Sequence, residues 1–144
     1  MRRSRVSRIR GASPYLLAGL LAVTGSLHFL APKPYVEVVP SQLPAPYALV
    51  YLSGVAELAC AAGLAVPRTR RLAGWATALL FVALFPANVQ MAVDAGGRSD
   101  VYRWGTYARL PLQVPLVLWA VSIARQVRRG SGARVDRAPR ERRT

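Results

Sequence analysis

Residues 72–93 read LAGWATALLFVALFPANVQMAV and contain no charged side chain. As a helix this stretch is about 33 Å long, enough to cross a hydrocarbon layer of about 30 Å. A surface helix of a soluble domain would show a charged stripe along one side. The stretch therefore reads as a membrane span, and the rest of the chain can be placed around it.

Upstream, Pro67-Arg68-Thr69-Arg70-Arg71 forms a basic turn, and a second apolar segment precedes it from about Tyr47 to Val66. Upstream again, an apolar run from Pro14 to Ala31 is closed by Pro32 and Pro34, and Pro14 suits the first turn of a helix. Downstream of residue 94, Gly96-Gly97 breaks the pattern and a fourth segment covers about 106–124. The expected architecture is all-α, a polytopic membrane four-helix bundle over residues 14–124 with spans at 14–31, 47–66, 72–94 and 106–124. A basic arm (1–13) precedes it and a basic tail (125–144) follows. Helices are the natural form because backbone groups in lipid must find partners within the chain. Tyr15, Tyr35, Tyr47, Trp75, Tyr102, Trp104 and Tyr107 fall near the expected ends, as an interfacial aromatic belt requires.

The 144 residues carry 20 Lys and Arg against 6 Asp and Glu, a net charge of +14. With a pI near 11.6, such a balance suggests nucleic acid. The distribution of the charges argues otherwise, because they flank uncharged runs rather than sharing one folded face, and nucleic-acid binding is not expected. The mean hydropathy of +0.24 averages two unlike populations. Sixteen of the twenty basic residues lie in the N-terminal arm, the 67–71 turn and the tail, which four spans place on one side. By the positive-inside rule that side is cytoplasmic, so a multi-pass protein of a bacterial cytoplasmic membrane with both termini inside is expected. The first run also has the outline of a signal peptide, but it is long and lacks a small-x-small cleavage site before Lys33, so a retained helix is expected. The tail lacks aliphatic runs and holds Gly130, Gly132 and Pro139; disorder and attraction to anionic lipid are its expected properties.

Cys60 is the only cysteine, which excludes an internal disulfide or a dithiol relay within one chain. No metal-ligand spacing, phosphate loop or nucleophile motif is present, so no metal is expected and enzymatic activity is left unassigned. The informative residues are polar ones inside spans. Glu57 lies near the middle of the second, where a charged group costs about 2.5–3.5 kcal/mol on insertion scales. Helical spacing puts Ser53, Gly54, Cys60 and Ala61 on its face, all small, so another helix can come close. His28, Asn88, Gln90, Arg109 and Gln113 fall in the same outer half of their spans, near Pro86, Pro111 and Pro115, each of which leaves a carbonyl one turn earlier without its donor. The expected intramembrane cluster is His28, Ser53, Glu57, Asn88, Arg109 and Gln113. Two readings stay open: hydrogen bonds that pin four helices together, or a small-molecule site such as one for a quinone headgroup or a proton path. The connection from Pro32 to Pro46 is likewise open between a proline-rich linker and a short amphipathic element, Tyr35-Val36-Glu37-Val38-Val39, lying over the polar half.

His28-Phe29, Pro32 to Tyr35, Val39-Pro40, Leu43-Pro44, Leu49 to Glu57, Pro67 to Arg71, Phe85 to Val89 with Met91-Ala92, and Arg109 to Gln113 occur in an order that resembles the DoxX-like family of small bacterial membrane proteins. The resemblance covers about Gly25 to Ala120. It implies a four-helix membrane bundle in which the Ser-Gly-x-x-Glu, Phe-Pro-x-Asn and Arg-Leu-Pro-x-Gln elements belong together. The family takes its name from a subunit of a thiosulfate:quinone oxidoreductase, and relatives are associated with membrane oxidoreductase assemblies or with chaperoning membrane partners. This chain lacks a cysteine pair of the kind a redox-active relative would use. The expected role is an accessory or structural subunit without a resident cofactor, in contact with the lipid bilayer and with a membrane partner or a second copy. A quinone-interacting oxidoreductase subunit is the rival. A transporter is disfavoured by the lack of a clear internal repeat.

Overall fold

The computed structural model describes residues 2–39, 43–97 and 99–132, and the side chains of 11–39, 43–97, 99–100 and 103–126. Five helices follow in order: α1 (Arg2–Leu30), α2 (Lys33–Val36), α3 (Pro46–Ala65), α4 (Arg70–Val93) and α5 (Asp100–Gly132), with a single 3-10 turn at Asp94–Gly97 between the last two. Among the described residues four stretches are long and apolar enough to cross a membrane: Gly11–Leu30, Pro46–Ala65, Arg70–Gly97 and Arg103–Gln126. The molecule is an all-α, four-span bundle.

Punctuation by proline explains most boundaries. Pro32 closes α1 and leads into α2, where the Tyr35 and Val36 amides both donate to the Pro32 carbonyl at 3.0 Å. Pro46 opens α3 directly after Ala45, whose φ of 53° is the left-handed exception among the described non-glycine residues and redirects the chain into the helix. At the other end Val66 is extended ahead of Pro67. The last carbonyls of α3 are then capped from the following turn. Thr69 Oγ1 donates to the Gly63 carbonyl at 2.9 Å and Arg70 Nε to the Leu64 carbonyl at 2.8 Å. Arg70 also lies over the Tyr15 ring, 4.8 Å from its centroid, tying this turn to α1.

Two features differ from the sequence expectation. Pro14 lies inside α1 and not in its first turn, because the helix starts at Arg2 and takes in the basic arm. At the other terminus, α5 runs to Gly132 through the first residues of the expected disordered tail. Ala124 to Arg129 contains no helix breaker, and Ala, Arg and Gln are good helix formers, so the span continues past the apolar boundary. Residues 133–144, and the side chain of Tyr102, fall outside the described residues. The 32–46 connection, open in the sequence between a linker and a short element, holds α2 at Lys33–Val36, which packs against α3.

The helices pair as two hairpins, α1 on α3 and α4 on α5, joined mainly through α3 and α4; α1 and α5 touch little. Trp119 Nε1 donates to Ser13 Oγ at 2.7 Å across that weak seam. The fully buried apolar side chains, Leu17, Leu21, Leu64 and Ile123, gather at the end carrying the 66–69 turn. The other half, beneath α2, holds His28, Glu57, Thr106 and Gln113, four of the five buried polar groups among the described residues; the fifth, Thr77, lies in the apolar half and donates to the Ala73 carbonyl at 2.7 Å. Leu16, Leu72, Leu79, Val82 and Leu118 point outward, as lipid-facing positions should.

Candidate functional site

The polar half is built where α1 and α3 cross. Gly25 and Gly54 face each other, and a Cβ on Gly54 would lie 2.8 Å from both His28 Cβ and Phe29 Cε2 and 3.1 Å from the Gly25 carbonyl oxygen. Only glycine allows the two backbones this close, and the approach carries Glu57 of α3 against α1. Val50, Gly54, Glu57, Cys60, Ala61 and Leu64 form the buried face of α3, as the helical spacing of small residues around Glu57 predicts.

Glu57 is 5% exposed. Its Oε2 accepts a hydrogen bond from Thr24 Oγ1, and its Oε1 lies 3.9 Å from His28 Nε2. His28 Nδ1 is 2.8 Å from the Thr24 carbonyl oxygen, which can only accept, so Nδ1 carries a proton. Nε2 is therefore the nitrogen left to face the Glu57 carboxyl. Above it, the Tyr35 ring of α2 stacks on the imidazole with centroids 4.0 Å apart. The Tyr35 phenol is pushed above the usual tyrosine range, first by burial and then by the Glu57 carboxylate, while the Arg109 guanidinium works in the opposite direction.

A second polar unit locks α4 to α5. Asn88 Nδ2 donates to Gln113 Oε1 at 2.6 Å, and Gln113 Nε2 donates to the carbonyl of Phe81, in the turn preceding Pro86. Pro86 removes the N–H that would bond the Val82 carbonyl one turn earlier, and the Gln113 amide donates one residue before that, to Phe81. One of the two sequence readings, helices pinned by hydrogen bonds, describes this pair.

The six residues singled out in the sequence thus fall into separate settings. His28 and Glu57 meet at the α1–α3 seam, and Asn88 and Gln113 meet at the α4–α5 seam. Ser53 turns back to the Val50 carbonyl at 3.0 Å, within its own helix. Arg109 stands apart from both, with Nη1 3.7 Å from Met91 Sδ. Gln90 bonds Asp94 at 2.9 Å. Periodicity assigned each residue to a face without showing which helices would share that face. Thr24 and Tyr35 were missed. The i, i+4 spacing of Thr24 and His28 was a usable signal for the first, whereas Tyr35 read only as an interfacial aromatic.

Between the two units, where α1 and α5 diverge, a cleft of about 370 Å³ opens at the α2 end. Leu27 and Ala31 of α1, Pro34 and Tyr35 of α2, Met91 of α4, and Gly105, Thr106 and Arg109 of α5 line it. The volume falls within the range of about 300–1,000 Å³ typical of small-molecule sites. Among the described residues no group of three or more His, Cys, Asp or Glu is placed to hold a metal ion.

Four apolar spans with polar groups gathered under one end define a multi-pass helical membrane protein. The chain belongs to the family described as a domain of unknown function (DUF8561), whose profile matches residues 17–124. No curated protein and no solved structure matches it.

Proposed function

We propose that this protein is an accessory subunit of a membrane assembly, DoxX-like in character, that holds a lipid-like molecule in the cleft beneath α2. The carrying observation is the cleft itself: apolar walls from Leu27, Ala31 and Met91, with polar groups at Tyr35, Thr106 and Arg109. That combination suits an amphiphile, whose chain needs apolar surface and whose head needs a few placed polar partners. Cys60 is the single thiol, so dithiol chemistry within one chain is excluded.

The basic arm, the 67–71 turn and the basic tail support a bacterial cytoplasmic membrane with both termini inside, and in that orientation the cleft faces outward. A topology reporter fused after Arg129 is expected to be active only in its cytoplasmic form.

Native mass spectrometry of the chain released from mild detergent tests the binding. The wild type is expected to retain one amphiphile and Gly105→Phe to lose it. A Cβ on Gly105 would meet no heavy atom within 4 Å, so an added ring can fill the cleft without displacing a helix. Bare protein in both cases would count against the proposal.

A second reading is favoured by one observation. Tyr35 joins the cleft to His28 and Glu57, so a line of titratable groups runs from the cleft to the α1–α3 seam. A quinone headgroup in the cleft would lie beside these groups. Redox spectroscopy of the purified protein, wild type against Glu57→Ala, separates this from plain lipid binding: bound quinone that depends on Glu57 would favour it.

A further inference from the structure

The charges lining the cleft narrow the chemistry of its occupant. Arg109 is the one lining residue with a full charge, and no Asp or Glu shares the wall. Its Nη1 lies 3.7 Å from the Met91 thioether, a weak acceptor, and among the described residues no carboxylate lies within 4.0 Å of its guanidinium. The residue sits six positions past the start of the Arg103–Gln126 span, about 9 Å along the helix. A guanidinium at that depth is costly unless an anion or water meets it.

Of the two neighbouring hydroxyls, Thr106 Oγ1 has committed its proton to the Arg103 carbonyl at 2.8 Å, whereas Tyr35 brings a phenolic O–H to the same wall. Arg109 offers several N–H donors in a planar fork that matches two oxygens of a carboxylate or phosphate. Leu27, Ala31, Pro34 and Met91 then present apolar surface beyond the head.

We propose that the cleft selects an amphiphile with an oxyanion head, a carboxylate or a phosphate, bound by the Arg109 fork with its tail against the α1 and α4 walls. This rests on the amphiphile-binding reading above and adds the sign of the headgroup. Arg109 is the specificity residue, and Gly105 keeps the space open.

The test uses the full chain in neutral detergent, with binding measured for four probes: dodecanoate, a lauroyl lysophosphatidylglycerol, neutral monolaurin and tail-free inorganic phosphate. At least one of the two anionic amphiphiles is expected to bind about tenfold or more tightly than monolaurin, a difference of about 1.4 kcal/mol. Which of the two binds tighter assigns the head as carboxylate or phosphate. Arg109→Gln is expected to erase the preference and Arg109→Lys to keep part of it, with circular dichroism and gel filtration unchanged. The comparison of probes on wild-type protein stands even if a variant fails to fold. Equal binding of monolaurin and the anionic probes, or a preference that survives in Arg109→Gln, overturns the selectivity and leaves an unselective amphiphile cleft. Inorganic phosphate binding as tightly as the amphiphiles would overturn it in favour of a free anion. Failure of every amphiphile to bind would remove the underlying reading as well.

Discussion

Gly54→Val is expected to break the α1–α3 hairpin. A Cβ at this position already falls 2.8 Å from His28 Cβ and from Phe29 Cε2, and the branched carbons of valine would extend further into α1. Neither helix can yield locally, because the Gly25 carbonyl oxygen closes the remaining side at 3.1 Å. Overpacking of this kind costs typically about 1–3 kcal/mol, and here it would also part Glu57 from Thr24 and His28. Unfolding followed in mixed micelles by circular dichroism should show a loss toward the upper end of that range. Gly19→Ala provides the contrast. A Cβ there meets nothing within 4 Å, and replacing a helical glycine with alanine should add about 0.5–1 kcal/mol. Equal behaviour of the two variants would mean that α1 and α3 do not cross at Gly25 and Gly54.

Glu57→Leu has a large expected effect of the opposite sign. A charged group at the centre of a span costs about 2.5–3.5 kcal/mol to insert, whereas leucine gains a few tenths. Insertion of the isolated α3 segment, measured by translocon-dependent glycosylation, should therefore improve by about 3 kcal/mol. Within the folded bundle the change removes the bond from Thr24 Oγ1 and the neighbour of His28 Nε2, a loss of about 0.6–2 kcal/mol. The variant should insert much better while its assembled bundle gains little or weakens. An unchanged insertion energy would place Glu57 outside the hydrocarbon and contradict the span.

How much was legible in the sequence depended on the kind of force involved. Lengths of uncharged sequence and the punctuation at Pro32, Pro46, Pro67 and Gly96-Gly97 were enough to place four spans, because span length and helix termination are local properties. The grouping of polar residues in one half of the bundle was legible for the same reason, since depth follows from position along a helix. Pairing was not. Asn88 and Gln113 found each other and left His28 and Glu57 to Thr24 because α4 packs on α5 and α1 on α3, an outcome decided by side-chain fit between helices far apart in sequence. The cleft was invisible for a related reason, as it is made of the space left where α1 and α5 fail to meet. Arg70 illustrates how a residue can carry two messages. In the sequence it reads as a marker of orientation; in the structure it also caps α3 and covers Tyr15.

The account turns on whether a lipid-like molecule occupies the space beneath α2. Photolabelling answers this most directly, using the wild-type chain reconstituted in vesicles that contain a trace of diazirine-tailed anionic lipid, with the labelled peptides located by mass spectrometry. Occupancy predicts label concentrated on Leu27, Ala31, Pro34 and Met91, well above that on outward-facing Leu72, Leu79 and Val82, and lost from the cleft residues in Gly105→Phe. Label spread evenly over the outward-facing positions, with the cleft residues no richer than Leu79, would contradict it.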